Sequence, residues 1–293
     1  VKGGYFERNV SYHANFLGRS GTANVGMWPI SSSDIVMQYN EAAYCHLANG
    51  GADGEGFDID IGCRNILFRY NYSHDNDGGG ILLCNTGGQV TLCDEDGNVR
   101  KDENGKVVIE KGRAEWSDVF IKNNVFARNG KKKGNFPALM HVAGSCENVY
   151  FENNTVIFTD NVSQPLMTVT KWDSEYDSSS PNKFYFKNNV FLSPVPNESY
   201  LRYTYMGEDY LFLSNVYYNM SESFAEVASD TKAFSFDPLI GIPDDAKGYE
   251  KIYDYVPGER KCSEGALRLK GRNLYDAAGN KVTGRRYFGA IVA

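Results

Sequence analysis

Two aspartates on one short segment have the type and spacing that acid–base chemistry needs. Asp58 and Asp60 lie in GEGFDIDIGC, residues 54–63, and alternate with apolar side chains. The apolar residues of this alternation are Phe57, Ile59 and Ile61. A period of two predicts a strand whose apolar side chains enter a core, so both carboxylates should point outward. Their Cα atoms would lie ~6.6–6.8 Å apart.

Three interpretations of this acidic pair are open. It is a solvated acidic face, a calcium site built from hard oxygen ligands, or an acid–base pair for glycosidic cleavage. Glycosidases hold their two carboxyl groups ~5–5.5 Å apart or ~6.5–9.5 Å apart, and outward positions on a parallel sheet cover that range. We favour the glycosidase interpretation and expect Asp58 and Asp60 to be catalytic.

Further acids and a histidine occur close by in sequence. The preceding loop NGGADGEGF, residues 49–57, contains Asp53 and Glu55, and residues 73–81, SHDNDGGGI, add His74, Asp75 and Asp77. We expect these groups to gather around the acidic pair. Asp77 would share the catalytic role, and Glu55 and His74 would orient substrate. In the calcium interpretation the ligands would be Asp58, Asp60, Asp75 and Asp77.

Other residues of the same region have side chains suited to a sugar ligand. Three glycines in a row, residues 78–80, have no side chains, so we expect them to leave open space for a sugar ring. They also weaken a strand, and this cost suggests a backbone held close to a ligand, with a plain loop as the alternative. His141 should project on the same face as Asp58, ~10 Å away. Trp28 and Trp172 could stack on sugar rings. We therefore expect His141, Trp28 and Trp172 to bind substrate, with packing in the protein interior as the alternative for each.

An internal repeat defines the elements that must position these residues. Seven short apolar strands each end in asparagine, with successive spacings of 31, 31, 53, 30, 35 and 26 residues. The seven asparagines are Asn9, Asn40, Asn71, Asn124, Asn154, Asn189 and Asn215. A period of about 30 without helical periodicity predicts a right-handed parallel β-helix of about seven coils. The asparagines would stack as a ladder at one bend.

The repeat also sets the domain organisation. We expect the β-helix to span residues 1–220 and a second strand column to precede each asparagine by about 13 residues. Turn signals in DEDGNV and DENGKV predict a projecting hairpin within an insertion at about 88–114. Residues 221–293 lack the repeat and should pack along the helix. The chain starts in mid-pattern, so N-terminal coils and a signal peptide could be missing.

Composition excludes several classes of partner. The net charge is −7 over 293 residues, without a basic patch, so nucleic acid is not an expected partner. No apolar run reaches the ~20 residues of a membrane span. The six cysteines contain no C-x-x-C pair and should be buried thiols, with one or two disulfides as the alternative. We expect a monomer.

The coils that end in asparagine resemble the pectate-lyase-like superfamily of right-handed parallel β-helices. GEGFDIDIGC with YNYSHDNDGGGILLC is similar to a block of secreted bacterial β-helix proteins of carbohydrate metabolism. The resemblance implies a secreted, periplasmic or cell-surface protein with a polysaccharide or oligosaccharide substrate.

The chain departs from two enzymes of that superfamily. It lacks the G-H-G and R-I-K motifs of polygalacturonases, and its one Asp-Asp pair, Asp244-Asp245, lies outside the coils. Pectate lyases need calcium and a basic residue, but Lys171 and Arg202 are three and four coils from the acidic pair, which leaves Arg64 or a missing coil. We therefore expect a glycoside hydrolase that needs no cofactor. The alternatives are a calcium-dependent polysaccharide lyase and a non-catalytic glycan-binding β-helix.

Overall fold

The computed structural model is all-β in the part of the chain that it describes, and that part contains no helix. The described residues are 1–18, 21, 23–49, 51–86, 88–112, 116–132, 138–170, 183–197, 209–221, 230, 232–235, 238 and 240. No segment of this part is a helix that could cross a membrane. The predicted C-terminal extension lies mostly outside the described residues.

Two seven-stranded parallel sheets run along the molecule, with strands numbered in chain order. Sheet 1 contains β1 (Lys2–Glu7), β4 (Ser33–Gln38), β8 (Arg64–Arg69), β13 (Ser117–Lys122), β16 (Val149–Glu152), β19 (Lys183–Lys187) and β21 (Asp209–Leu213). Sheet 2 contains β2 (Val10–Tyr12), β5 (Glu41–Ala43), β9 (Tyr72–His74), β14 (Val125–Ala127), β17 (Thr155–Ile157), β20 (Val190–Asn197) and β22 (Val216–Met220). Each coil contributes one strand to each sheet, so the predicted parallel β-solenoid of about seven coils is confirmed.

A third parallel sheet closes the coil and positions the acidic pair. Sheet 3 contains β7 (Phe57–Ile59), β10 (Ile81–Asn85), β15 (Met140–Gly144) and β18 (Met167–Thr170). A separate two-stranded parallel sheet pairs β3 (Ala23–Asn24) with β6 (Ala52–Asp53), and β6 directly precedes β7 in the chain. The antiparallel pair β11 (Gly88–Thr91) and β12 (Ile109–Gly112) forms a hairpin within the insertion.

The asparagine ladder forms at the bend between sheets 1 and 2. Each side-chain Nδ2 donates to Oδ1 of the next asparagine, at 2.9–3.3 Å from Asn40 onward and at 3.0 Å from Asn9 to Asn40. The residue before each ladder asparagine has a φ of 52–60°, a left-handed conformation that turns the chain sharply. The last donor, Asn215, bonds Asp230 at 2.9 Å.

The core lies inside the coils and is rich in stacked aromatic rings. Phe68, Phe126, Phe151, Phe186 and Phe212 form one column across sheets 1 and 2, and each is at most 2% exposed. Cys45, Cys63 and Cys84 have free, buried thiols, as the sequence predicts, whereas the free thiol of Cys93 is exposed because it lies in the projecting insertion. Cys262 lies outside the described residues.

Candidate functional site

Sheet 3 holds the acidic pair, but its outer face is covered. Phe57 and Ile59 are fully buried in the core, and Asp58 points to the opposite face, as alternation predicts. Asp58 is nevertheless only 5% exposed. Ile61, expected in the core, instead packs with an outer-face cluster that includes Leu82. The reason is that β7 ends at Ile59 and the chain then turns, so the alternation does not continue to Ile61.

Four carboxylates form one cluster, which we call the acidic cluster: Asp53, Glu55, Asp58 and Asp60. Burial raises the pKa of Asp58 well above its usual range, and the negative charges of Asp60, Asp53 and Glu55 raise it further. An acid in this environment stays protonated near neutral pH, because its charged form is neither hydrated nor paired. Asp58 is therefore a neutral member of the cluster.

Asp53 is the member that the sequence analysis left without a catalytic role. Burial, then the charges of Glu55 and Asp60, raise the pKa of Asp53 to about 7. Its side chain keeps partial solvent access, and its backbone has a φ of 71°. The Gly-rich sequence that flanks Asp53 is the signal that could have identified it.

Asp60 lies at the end of the strand with partial solvent access. The backbone N–H of Ile61 donates to its Oδ1 at 2.7 Å, which fixes the orientation of this carboxyl group. Burial is the main cause that raises the pKa of the neighbouring Cys84 thiol, which therefore stays neutral beside Asp60. Asp53 and Asp60 are thus the two partly accessible acids of the cluster.

His141 joins this cluster from two strands away. The register of sheet 3 aligns Asp58, Leu82, His141 and Thr168 in one row, as the sequence predicts for His141. Its Nδ1 lies 3.5 Å from Glu55 Oε1, and both residues are fully buried. Neither oxygen of Glu55 has a hydrogen-bond partner.

The glycines at 78–80 serve close packing and do not leave open space. A Cβ on Gly78 would lie 2.7 Å from Gly54 C, and one on Gly79 would lie 2.7 Å from Leu139 O. One on Gly80 would meet the Phe126 ring at the same distance. The expectation of space for a sugar ring is therefore wrong, because backbone and core atoms of neighbouring coils fill it.

His74 and Asp75 lie in sheet 2 and in the turn after it, away from the acidic cluster. His74 is fully buried, with Nε2 2.9 Å from Glu41 and Nδ1 2.8 Å from Asp75. Burial alone would raise the pKa of Asp75, but hydrogen bonds from His74, Arg128 and Lys131 hold it well below its usual range. The prediction that His74 and Asp75 gather around Asp58 is wrong, because His74 belongs to β9 of sheet 2 and Asp75 follows it.

Asp77 holds a turn and is not among the charges that act on Asp58. Its Oδ2 accepts from Leu47 N at 3.0 Å and lies 2.7 Å from Lys132 Nζ. The described residues contain no group of three or more acidic, histidine or cysteine side chains that could hold a metal ion. The four expected calcium ligands are thus divided, because Asp58 and Asp60 belong to the acidic cluster whereas Asp75 and Asp77 do not.

Trp28 is half-exposed beside the acidic cluster. Met27 forms a parallel bridge with Phe57, and Asp58 N donates to Met27 O at 3.0 Å. Trp28 therefore lies next to Asp58 on the preceding coil, with 50% of its surface exposed. Trp172 lies outside the described residues.

Comparisons with known proteins give one short similarity. A segment of 67 residues is 39% identical to a Bifidobacterium longum subsp. longum protein named lacto-N-biosidase. It represents 22% of this chain and 4% of that protein, so the match covers a small part of the relative's length. No family model matches the chain. The similarity links part of the chain to a glycoside hydrolase and hence to carbohydrate-active proteins.

Proposed function

We propose that the chain carries the active site of a glycoside hydrolase, with Asp53 as general acid and Asp60 as the carboxylate partner. The observation that supports this most directly is the pKa of Asp53, which is raised to about 7 beside the partly accessible Asp60. Glycosidic cleavage needs one carboxylic acid and one carboxylate at neighbouring positions. This assignment replaces the expected pair of Asp58 and Asp60, because Asp58 is buried and neutral.

The mechanism uses the difference between the two acids. Protonated Asp53 donates its proton to the glycosidic oxygen as the bond to the anomeric carbon breaks. The carboxylate of Asp60 stabilises the positive charge that develops on the sugar and serves as nucleophile or as base for water. Trp28 is half-exposed beside these acids and offers a face for stacking against a sugar ring.

The charges around these acids favour hydrolysis over elimination. The charges that raise the pKa of Asp53 and Asp58 belong to other carboxylates of the acidic cluster. A lyase needs a base that removes a proton from carbon, and its Arg or Lys would instead lower the pKa of these acids. The calcium-dependent lyase is therefore an outcome to test.

The name of the similar protein suggests the substrate class. We propose as substrate a glycan that ends in a lacto-N-biose unit. We also propose that the protein is secreted, where it can reach such a glycan.

The test measures hydrolysis of p-nitrophenyl lacto-N-bioside and of a panel of other aryl glycosides and oligosaccharides. Asp53→Asn and Asp60→Asn should each lower kcat/KM by roughly 100-fold or more, and Asp160→Asn, an exposed aspartate elsewhere, should not. An ultraviolet-absorbing unsaturated product would instead identify a lyase. Binding on a glycan array without turnover of any substrate would identify a binding module. Full activity of both site variants would refute the assignment.

A further inference from the structure

Glu55 is the least satisfied charged group of the described chain around the site. It is fully buried, and neither carboxylate oxygen accepts a hydrogen bond. An isolated buried carboxylate is strongly disfavoured unless a proton or a cation compensates its charge. The titratable groups that face it are Asp53 and Asp58 of the acidic cluster, the Cys45 thiol, and His141 from β15.

The hydrogen bonds of His141 identify where the compensating proton lies. His141 Nε2 is 2.9 Å from Thr170 Oγ1, and that hydroxyl donates to Val142 O at 3.4 Å. The hydroxyl therefore accepts from Nε2–H, which leaves Nδ1 to face Glu55 Oε1 at 3.5 Å. A bare lone pair facing a carboxylate would be repulsive, so one proton belongs between these two atoms.

We propose that Glu55 and His141 are positioning residues that share one proton behind the acidic cluster and so limit its negative charge. Whichever partner carries the proton, the pair has no net charge. This inference rests on the proposed function and deepens it, because the pair sets the electrostatic environment in which Asp53 retains its proton. Neither residue needs to touch the substrate.

The first test is the pH dependence of kcat/KM. Because the pair has no net charge, Glu55→Gln, which leaves a neutral amide beside a neutral imidazole, should leave the alkaline limb in place. His141→Gln removes the partner that compensates Glu55 and should move the limb about one unit higher in pH, since a negative Glu55 raises the pKa of Asp53. His13→Gln is the control, because His13 is exposed and lies outside the acidic cluster, and it should leave that limb in place. A limb that moves lower in Glu55→Gln, or that stays in place in His141→Gln, would overturn the proposal.

The second test is a double-mutant cycle. His141→Gln alone should lower kcat/KM about tenfold, but less than twofold in the Glu55→Gln background, because the partner is already lost. Additive effects would show that the two residues act independently.

The third test does not depend on activity. Nitrogen NMR of the His141 ring should show a protonated or proton-sharing Nδ1 in the unmodified chain. In Glu55→Gln it should show the neutral ring with hydrogen on Nε2 alone, because the glutamine amide can donate to Nδ1. Identical spectra would overturn the shared proton. If the NMR spectra agree with these expectations but no glycoside is turned over, the proposed function is disproved and the shared proton of Glu55 and His141 is still supported.

Discussion

The individual carboxyl groups of the acidic cluster lower the stability of the folded chain. Asp53, Glu55 and Asp58 are carboxyl groups in a covered site, and the pKa of Asp53 and that of Asp58 are raised by burial and by like charge. A group whose pKa is higher in the folded state loses stability as pH rises. The fold therefore contains acids that lower its stability near neutral pH, a pattern common where function and stability conflict.

Asp53→Asn should stabilise the protein while it abolishes activity. The pKa of Asp53 rises from an ordinary value near 3.8 to about 7, so its contribution to stability is complete below about pH 4 and is lost as pH approaches 7. The variant should match the parent at pH 4 and exceed its free energy of unfolding by about 2–4 kcal/mol at pH 8. Urea denaturation at both pH values measures this. An advantage that does not change with pH would contradict it.

The ladder asparagines act at the scale of the element, because each one from Asn40 to Asn189 connects its own coil to the coil before it and the coil after it. Asn124 accepts from the backbone and side chain of Asn71, and its Nδ2 donates to Phe68 O and to Asn154 Oδ1. Its side chain therefore makes four hydrogen bonds in a fully buried position.

Asn124→Ala should lower the free energy of unfolding by about 3 kcal/mol or more, since it leaves buried donors and acceptors unpaired. Asn104→Ala in the exposed hairpin should change it by less than about 0.5 kcal/mol. Urea denaturation of the two variants measures the difference. Equal losses would show that the ladder does not support the fold.

The close-packed glycines make a second prediction at this scale. Gly79→Ala places a Cβ 2.7 Å from Leu139 O, whereas Gly4→Ala meets only Ile35 Cδ1 at 3.6 Å. The first should lower the free energy of unfolding by about 2–3 kcal/mol, and the second should be nearly neutral. Thermal unfolding compares them, and an unaffected Gly79→Ala would mean that the coils can move apart.

The fold was predictable from sequence because its signal is repeated. Seven asparagines at nearly constant spacing report the same bend seven times, so individual irregularities do not obscure it. The acidic cluster has no such repetition. Burial of Asp58 depends on what covers sheet 3, and the pKa of Asp53 depends on a loop outside the repeat. The local pattern predicted correctly that Asp58 points away from the core, but it could not show that Asp58 is buried or that the strand ends before Asp60.

At the scale of the whole molecule, apolar surface is concentrated at the first coil. Nine of the thirteen exposed large apolar side chains among the described residues lie within residues 1–30. The edge strands β1 and β2 lie at the same end. Edge strands with exposed apolar side chains pair readily with another chain, so the expected monomer is a prediction to test at this surface.

The double variant Tyr5→Lys with Val10→Lys should suppress self-association of this chain. Both side chains are more than half exposed, so the lysines can be solvated without disturbing the core. Sedimentation velocity of the parent chain should show a concentration-dependent increase in mass that the variant lacks. Tyr218→Lys in the last coil is the comparison, and it should not remove the increase.

The asparagine ladder has a direction and an end. Every side-chain amide donates toward the next coil in the chain, and the column finishes at Asp230, whose oxygens accept from Asn215, Ser214 and Tyr217. A carboxylate accepts but cannot pass a donor onward. Gene duplication or deletion of one whole coil before Asp230 would therefore leave every remaining amide with the same kind of neighbour. The number of coils can therefore change in evolution while the hydrogen bonds at the bend stay the same, and Asp230 is the residue that ends the column.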